Sequence, residues 1–418
     1  MKFFRNLLVG LVLCLLLPIA LQHGYRAIAS DTNVVIRQPL WSVEQEANQN
    51  LVVVNDLVLV PSYDMLNQQG QLYALDAASG AQRWVSSEPV QRVLKVENNT
   101  LYATNQNYRL ITLDATTGAT KTSVQFADPD AMILGSALAA YQDTFIVGRS
   151  LDSDTNQDEI VALTPDNQRR WSFLTPPDSL ISVNFYEPYD VITPKFQDGI
   201  LIVPILVNPQ TEQRGYEITA LDATTGNLLW RWKTLDELDN LTVIGDTVYP
   251  AHTDGNLTEG RSWVKALDLK TGQERWSYST IGFTMLASDR EAFLWKREDS
   301  DQSLHLNVLD KQSGDELRRI VLPLESNQAP GGLILADNTI YASDLRIENV
   351  TLGFYGSADN HTWLNAYDAT DGRVLWRTPT FMHSHLNTPV VEGDRLFVAS
   401  RAVDVAGKSV VQAFERSP

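Results

Sequence analysis

Two short stretches of the 418-residue sequence hold side chains that could bind a metal ion. "DSDTNQDE" sets Asp152, Asp154, Asn156 and Asp158 at alternate positions. Oxygen ligands at that spacing open a calcium loop, but such a loop also needs Gly at its sixth position and Glu at its twelfth, and both are missing. The stretch reads equally as a solvated hairpin tip, as does "REDSDQS" at 297–303. "HSH" sets His383 and His385 on one face of an extended segment. Two imidazoles two residues apart can hold zinc or copper once further ligands join them. His252 and His361 are the histidines expected on the same side of the molecule. No Gly-x-Ser-x-Gly, His-Glu-x-x-His or phosphate-loop pattern occurs, so no catalytic residue is assigned.

Two longer segments are rich in aromatic and apolar residues. "LTPPDSLISVNFYEPYDVITP" (174–194) carries Phe185, Tyr186 and Tyr189. "SDLRIENVTLGFYGSADNHTW" (343–363) carries Leu352, Phe354 and Tyr355. Large side chains on loops serve either as anchors for a partner or as caps on their own scaffold.

The scaffold beneath these loops is a repeat. "LYALDAASGAQRW" (72–84) returns as "ITALDATTGNLLW" (218–230), "WVKALDLKTGQERW" (263–276) and "WLNAYDATDGRVLW" (363–376). Weaker copies have Thr122 or Arg318 in place of the Trp, or Thr164 in place of the Asp. An eighth copy is split between "VVQAFERSP" at the end of the chain and "QPLWSV" at 38–43. Each copy reads as two strands around a Thr/Ser-Gly turn. Between copies stand eight further hairpin signals such as "LKVENNTLYA" and "KFQDGILIV". Asn, Asp and Gly in their turns suit two-residue hairpins. Four antiparallel strands per unit, A to D, in eight units, predict an all-β, eight-bladed propeller. The split copy predicts that strands from both ends share blade 8. Loops B–C and D–A are long and varied and lie on one face, which is where function is expected. Trp41, Trp84, Trp171, Trp230, Trp276 and Trp376 close repeats and are expected to dock blades together; the repeat Asp belongs to the turn.

Ala-x-Asp-x-x-Thr-Gly-x-x-x-Trp resembles the tryptophan-docking repeat of the pyrroloquinoline-quinone-type propellers, over essentially all of residues 30–418. That family includes quinone-dependent alcohol dehydrogenases and non-catalytic scaffolds of the BamB type. The resemblance implies the fold and leaves two functions open: an exported scaffold that binds envelope or secreted proteins, or a quinone- or metal-dependent oxidoreductase. The dehydrogenases of the family press a vicinal disulfide on the quinone, and this chain has a single cysteine, Cys14. Bound pyrroloquinoline quinone is therefore not expected, and neither is any other cofactor.

The chain carries 33 basic and 51 acidic residues, a formal charge of −18. That argues against nucleic acid and anionic lipid as partners, since phosphate contacts need clustered Lys and Arg. Residues 1–29 read as a secretory leader: Lys2 and Arg5, an apolar run from Leu7 to Leu21, then Ala27-Ile28-Ala29. The run is short of the roughly 20 residues that span a bilayer. An uncleaved anchor, or lipid on Cys14, are the alternatives, and in either case the leader alone would touch the membrane. Removing it takes away Lys2, Arg5 and Arg26, leaving a cysteine-free propeller that is more acidic still and expected to be a monomer outside the cytoplasm. Exported protein is expected to start at Ser30; N-terminal sequencing that finds Met1 would establish the anchor instead.

Overall fold

The alternating strands and their turns assemble as that pattern demands. The computed structural model describes residues 34–416 apart from 65–68, 106–108, 127–131, 152–156, 183–193, 254–261, 280–284, 298–303, 325–331, 349–358, 383 and 403–408. Of residues 1–35 only Val34 and Val35 are described, without regular structure.

Eight antiparallel sheets follow one another along the chain. Blades 1 to 7 occupy residues 52–85, 92–125, 132–174, 179–234, 240–279, 285–322 and 334–377. Blade 8 takes strands A to C from residues 384–415 and strand D from Trp41–Glu44. Trp41 stands opposite Ala413 and Glu44 opposite Val410, so the two ends of the chain close one sheet. The A–B turns show why Asn, Asp and Gly recur there. Asn98 and Asn99 have φ of 48° and 58°, and Asp198 and Gly199 have 49° and 79°, which is the left-handed backbone that tight hairpins require.

The C–D turns are built by the repeat Asp. Asp222 Oδ1 accepts from Thr224 N (3.0 Å), Thr225 N (2.8 Å) and Thr225 Oγ1 (2.9 Å). Asp76, Asp268 and Asp310 hold their turns in the same way. The Arg83 guanidinium and the Ser79 hydroxyl hold the Asp76 carboxyl well below the usual carboxylate range. These carboxylates are turn fasteners.

Each turn then receives the tryptophan of the preceding blade. Gly272 lies on Trp230 so closely that a Cβ there would stand 2.5 Å from the indole. Trp230 Nε1 donates to Leu269 O at 2.8 Å. Trp41, Trp171 and Trp276 repeat both contacts, on Gly80, Gly226 and Gly314, with Ala77 O, Ala223 O and Lys311 O as acceptors. Trp84 lies on Gly118. Contiguous apolar clusters fill the seams, as where Leu59 and Trp84 of blade 1 meet Leu101 and Ile111 of blade 2.

Three seams depart from the rule. Between blades 6 and 7, Arg318 donates to Ala369 O (3.1 Å), the carbonyl an indole would have used, and pairs with Glu291 (2.5 and 2.9 Å). At the seam of blades 2 and 3, Thr122 stands where the Trp is expected and shares a hydroxyl contact of 2.7 Å with Thr112 of its own blade, while Asn167 Nδ2 of the blade 3 turn donates to Gln125 O at 3.3 Å. Between blades 7 and 8 the receiving turn is where the chain is split. There Arg37 places its guanidinium 4.4 Å from the centre of the Trp376 ring, and its N–H donates to Arg377 O at 2.8 Å. Packed also against Tyr341 and Phe414, Trp376 is 1% exposed.

Trp230→Ala is expected to cost about 3–5 kcal/mol, the usual penalty for emptying a large aromatic site. Urea titration measures it, and a loss under about 1 kcal/mol would show that the indole does not carry its seam.

Candidate functional site at the seam of blades 4 and 5

Four of the ten tryptophans do not close a repeat, and two of these meet at one place. Trp232 lies in strand D of blade 4 (Leu228–Thr234), two residues beyond docking Trp230 and on the same face. Trp263 opens strand C of blade 5 (Trp263–Asp268). Both are at the end of their strands where B–C and D–A loops emerge. The rings stand edge to face, 6.0 Å apart at 73°. His252, at the end of strand B (Thr247–His252), tilts against Trp263 at 5.9 Å. Lys265 spans the pair, its ammonium 5.9 Å from Trp232 and 5.5 Å from Trp263, while bonding Glu274 Oε2 at 2.8 Å.

The connector between the blades pins this cluster. Trp263 Nε1 donates to Asp236 Oδ2 at 2.8 Å. Asp239 Oδ2 accepts from Thr253 N at 2.6 Å and lies 3.2 Å from His252 Nδ1. Leu238 is buried in the seam, and Leu235, three residues earlier, is 81% exposed. Both indoles are half-buried, anchored by one edge and open on another. That is hot-spot chemistry: rigid aromatic area, already ordered, beside an exposed leucine and a half-buried cation. Sequence reasoning missed it because Trp263 was absorbed into the repeat. The available signal was the Trp-x-Trp spacing at 230 and 232, which puts a second indole on the seam face where one suffices for docking.

The residues singled out from the sequence are dispersed. Asp152, Asp154, Asn156, His383, Phe185, Tyr186, Tyr189, Leu352, Phe354 and Tyr355 lie outside the described residues. His385 stands within a strand (Ser384–Leu386) opposite Arg401, since this segment pairs with strand B of blade 8 ahead of strand A proper. Burial and Arg401 push its imidazole below the usual range. His361 lies within strand C of blade 7 (Asp359–Asp368), opposite Met382, two blades on from His252 at the end of strand B of blade 5. Among the described residues no three His, Cys, Asp or Glu side chains gather as a metal site. No helix among them is long and apolar enough to cross a membrane.

Asp158 is 2% exposed. Its Oδ2 accepts from Ile181 N at 2.6 Å, and Oδ1 has no hydrogen-bond partner. Burial raises its carboxyl above the usual carboxylate range, against the opposing pull of the Ile181 amide and Ser150. A carboxyl raised by folding stabilises the fold below its unfolded pKa and loses that contribution as pH rises through its folded pKa. Asp158→Asn should therefore fare better, relative to wild type, at pH 7 than at pH 4 in urea titrations. The opposite ordering would mean that a cation holds the carboxylate in solution.

A family model described as outer membrane protein assembly factor BamB matches residues 36–174 and 155–344. Searching the curated proteins gives no significant match. Among solved structures, BamB from Moraxella catarrhalis is similar at a TM-score of 0.56 and 14% identity, covering 90% of this chain and 97% of that one. Quinohemoprotein alcohol dehydrogenase from Comamonas testosteroni is similar at 0.56 and 15%, covering 92% and 76%. Sqt1 from Saccharomyces cerevisiae is similar at 0.54 and 11%, covering 91% and 99%. At such identities these likenesses speak for the fold alone, whereas the family model spans most of the repeats, and with them the chain belongs to the BamB family of pyrroloquinoline-quinone-type repeat propellers.

Proposed function

We propose that this protein is a non-catalytic docking scaffold that works outside the cytoplasmic membrane and holds a protein partner on the B–C and D–A loop face. The observation that carries this reading is the Trp232–Trp263–Lys265 cluster with exposed Leu235 beside it. The connector orders it in advance through the Asp236 bond, so little side-chain entropy is left to lose on binding. The acidic surface suits a partner that offers cationic or apolar groups, and membership of the BamB family supports an assembly role in the envelope. The leader at 1–29 supports export. No bound quinone is called for, since the single cysteine of the chain cannot form the vicinal disulfide of the quinone-dependent relatives.

A photoreactive residue placed at Leu235 in the exported protein should yield a discrete protein adduct in its own envelope. Trp263→Ala should reduce that adduct about tenfold or more, the loss of a hot-spot residue. An undiminished adduct would remove the cluster from the interface. Purified protein supplied with pyrroloquinoline quinone and calcium should not oxidise alcohols in a dye-linked assay, and turnover there would overturn the scaffold reading.

A further inference from the structure

The outer strand of every blade is a sheet edge, and such an edge templates pairing with another chain unless something blunts it. Most of the eight are blunted. In blades 1, 7 and 8 strand D has only four residues. In blade 2 it reads TKTSVQ and in blade 5 ERWSYS, which offer little apolar surface to an added strand. The edge in blade 6 is seven residues long, with Leu317 and Val321 51% and 42% exposed, but the blade 7 turn sits on its backbone, where a Cβ on Gly372 would stand 2.4 Å from Val321 O. The edge in blade 7 is already occupied: Ile36 bridges Arg377 in parallel, and Arg37 N donates to Arg377 O. This molecule thus shows, on itself, a D edge accepting an extended segment.

The D edge of blade 4 stands apart. It is seven residues long, Leu228–Thr234, reads LLWRWKT, contains no proline, and among the described residues pairs on one side only, with strand C (Gly215–Asp222). Leu228 and Leu229 are each 45% exposed, and Leu235 follows directly. On the face that alternates with the indoles, Arg231 Nε and Lys233 Nζ each lie 3.0 Å from the carboxylate of Glu217, whose side chain is fully buried. Two cations share one carboxylate, which leaves a surplus positive charge on the edge of an otherwise acidic chain. From Trp230 onward side chains along this edge alternate between faces, so an added strand would set every second residue against Arg231 and Lys233, with Leu229, the extra residue of the bulge between the Trp230–Ala220 and Leu228–Leu221 pairs, just ahead of them.

We propose that this edge is where the partner is gripped, by addition of an extended partner segment in which acidic residues two apart face Arg231 and Lys233 and apolar residues face Leu229 and Leu235. The inference rests on the docking reading above and specifies the chemistry of the partner: main-chain hydrogen bonds supply affinity and the alternating side chains supply register. The edge runs directly into the Trp232–Trp263 cluster, so strand and indoles form one continuous surface.

The probe is a fluorescein-labelled eight-residue peptide in which valine alternates with threonine or glutamate, with two glutamates two apart. It is added to the mature propeller. Two further versions carry N-methyl groups on one or the other alternate set of amides. One methylated set should weaken binding about tenfold or more, through the loss of main-chain bonds, and the other should leave it unchanged. Replacing both glutamates by lysine should weaken binding several-fold. Leu229→Asp, an exposed substitution whose folding is checked by melting, should weaken it similarly, and Leu228–Thr234 should gain hydrogen-exchange protection. Equal effects of both methylated sets, protection confined to other strands, or no binding at about 1 mM, the weak end of specific association, would each overturn the proposal. Concentration-dependent dimerisation protecting the same strand would assign the edge to a second copy and overturn it too. If Leu235 adducts persist in the Leu229→Asp protein while every peptide fails, the loop-face reading survives and the edge proposal alone falls.

Discussion

Everything in this ring depends on one contact, the strand D side chain of one blade seated on the C–D turn of the next. A four-stranded sheet buries nothing by itself. It becomes stable only when its faces are covered by neighbours, so the seam is the unit of stability. The indole suits the task because it covers a large apolar area and still carries one N–H, which the turn carbonyl accepts from Trp41, Trp171, Trp230 and Trp276. Glycine suits the turn for two reasons at once. At Gly272 the backbone has a φ of 67°, and a side chain would collide with Trp230. The repeat Asp completes the arrangement by fastening the turn on which the indole rests.

The exceptions show what the contact requires. Arg318 supplies the N–H and part of the flat area of an indole, and it brings Glu291 to balance its charge. Its chemistry differs but the acceptor position is the same. At the split blade the turn itself is missing, and Arg37 covers Trp376 from the other side of the break. Closure is therefore more than the pairing of Trp41–Glu44 with Val410–Glu415. The segment just before that strand also reaches back to blade 7, so the chain end fastens two seams, and its sequence there is tied to the tryptophan it shields.

The eight blades, their order and the shared blade 8 were legible because each is written as a local pattern: period-two apolar residues, turn residues and a tryptophan at fixed spacing. The site was not. Trp232, Asp239, His252 and Trp263 fall in four separate segments, the end of one strand, the connector, the end of a second strand and the start of a third, and are brought together by the seam between two blades, which no repeat pattern records. Loops rich in aromatic residues attracted attention instead, since Phe185 or Phe354 is conspicuous in a polar stretch, whereas Trp263 is inconspicuous at the apolar first position of a repeat. Arg318 reads in the sequence as a defect in the motif, and only its bond to Ala369 O reveals it as a substitute. The same holds for His385, whose strand is created by pairing with Arg401 and not by its own two-residue spacing.

A propeller closes its ring but never its rim, and eight outer edges remain to be managed. Selection against aggregation should shorten them, make them polar or cover them, and seven of the eight show one of these features or carry charge at their start, as in the Arg169-Arg170 pair of blade 3. An edge that keeps seven residues and exposed leucines departs from that trend at a cost in solubility. Its cations do not act simply as guards, because both are drawn toward Glu217 beneath them. The buried carboxylate in turn needs them, since a charge removed from water without a counterion is expensive. Blade 4 has therefore built its edge around a fixed polar core and left the apolar residues outward, next to two indoles oriented by their own connector. Those features make sense together on a surface that is covered when the protein is at work.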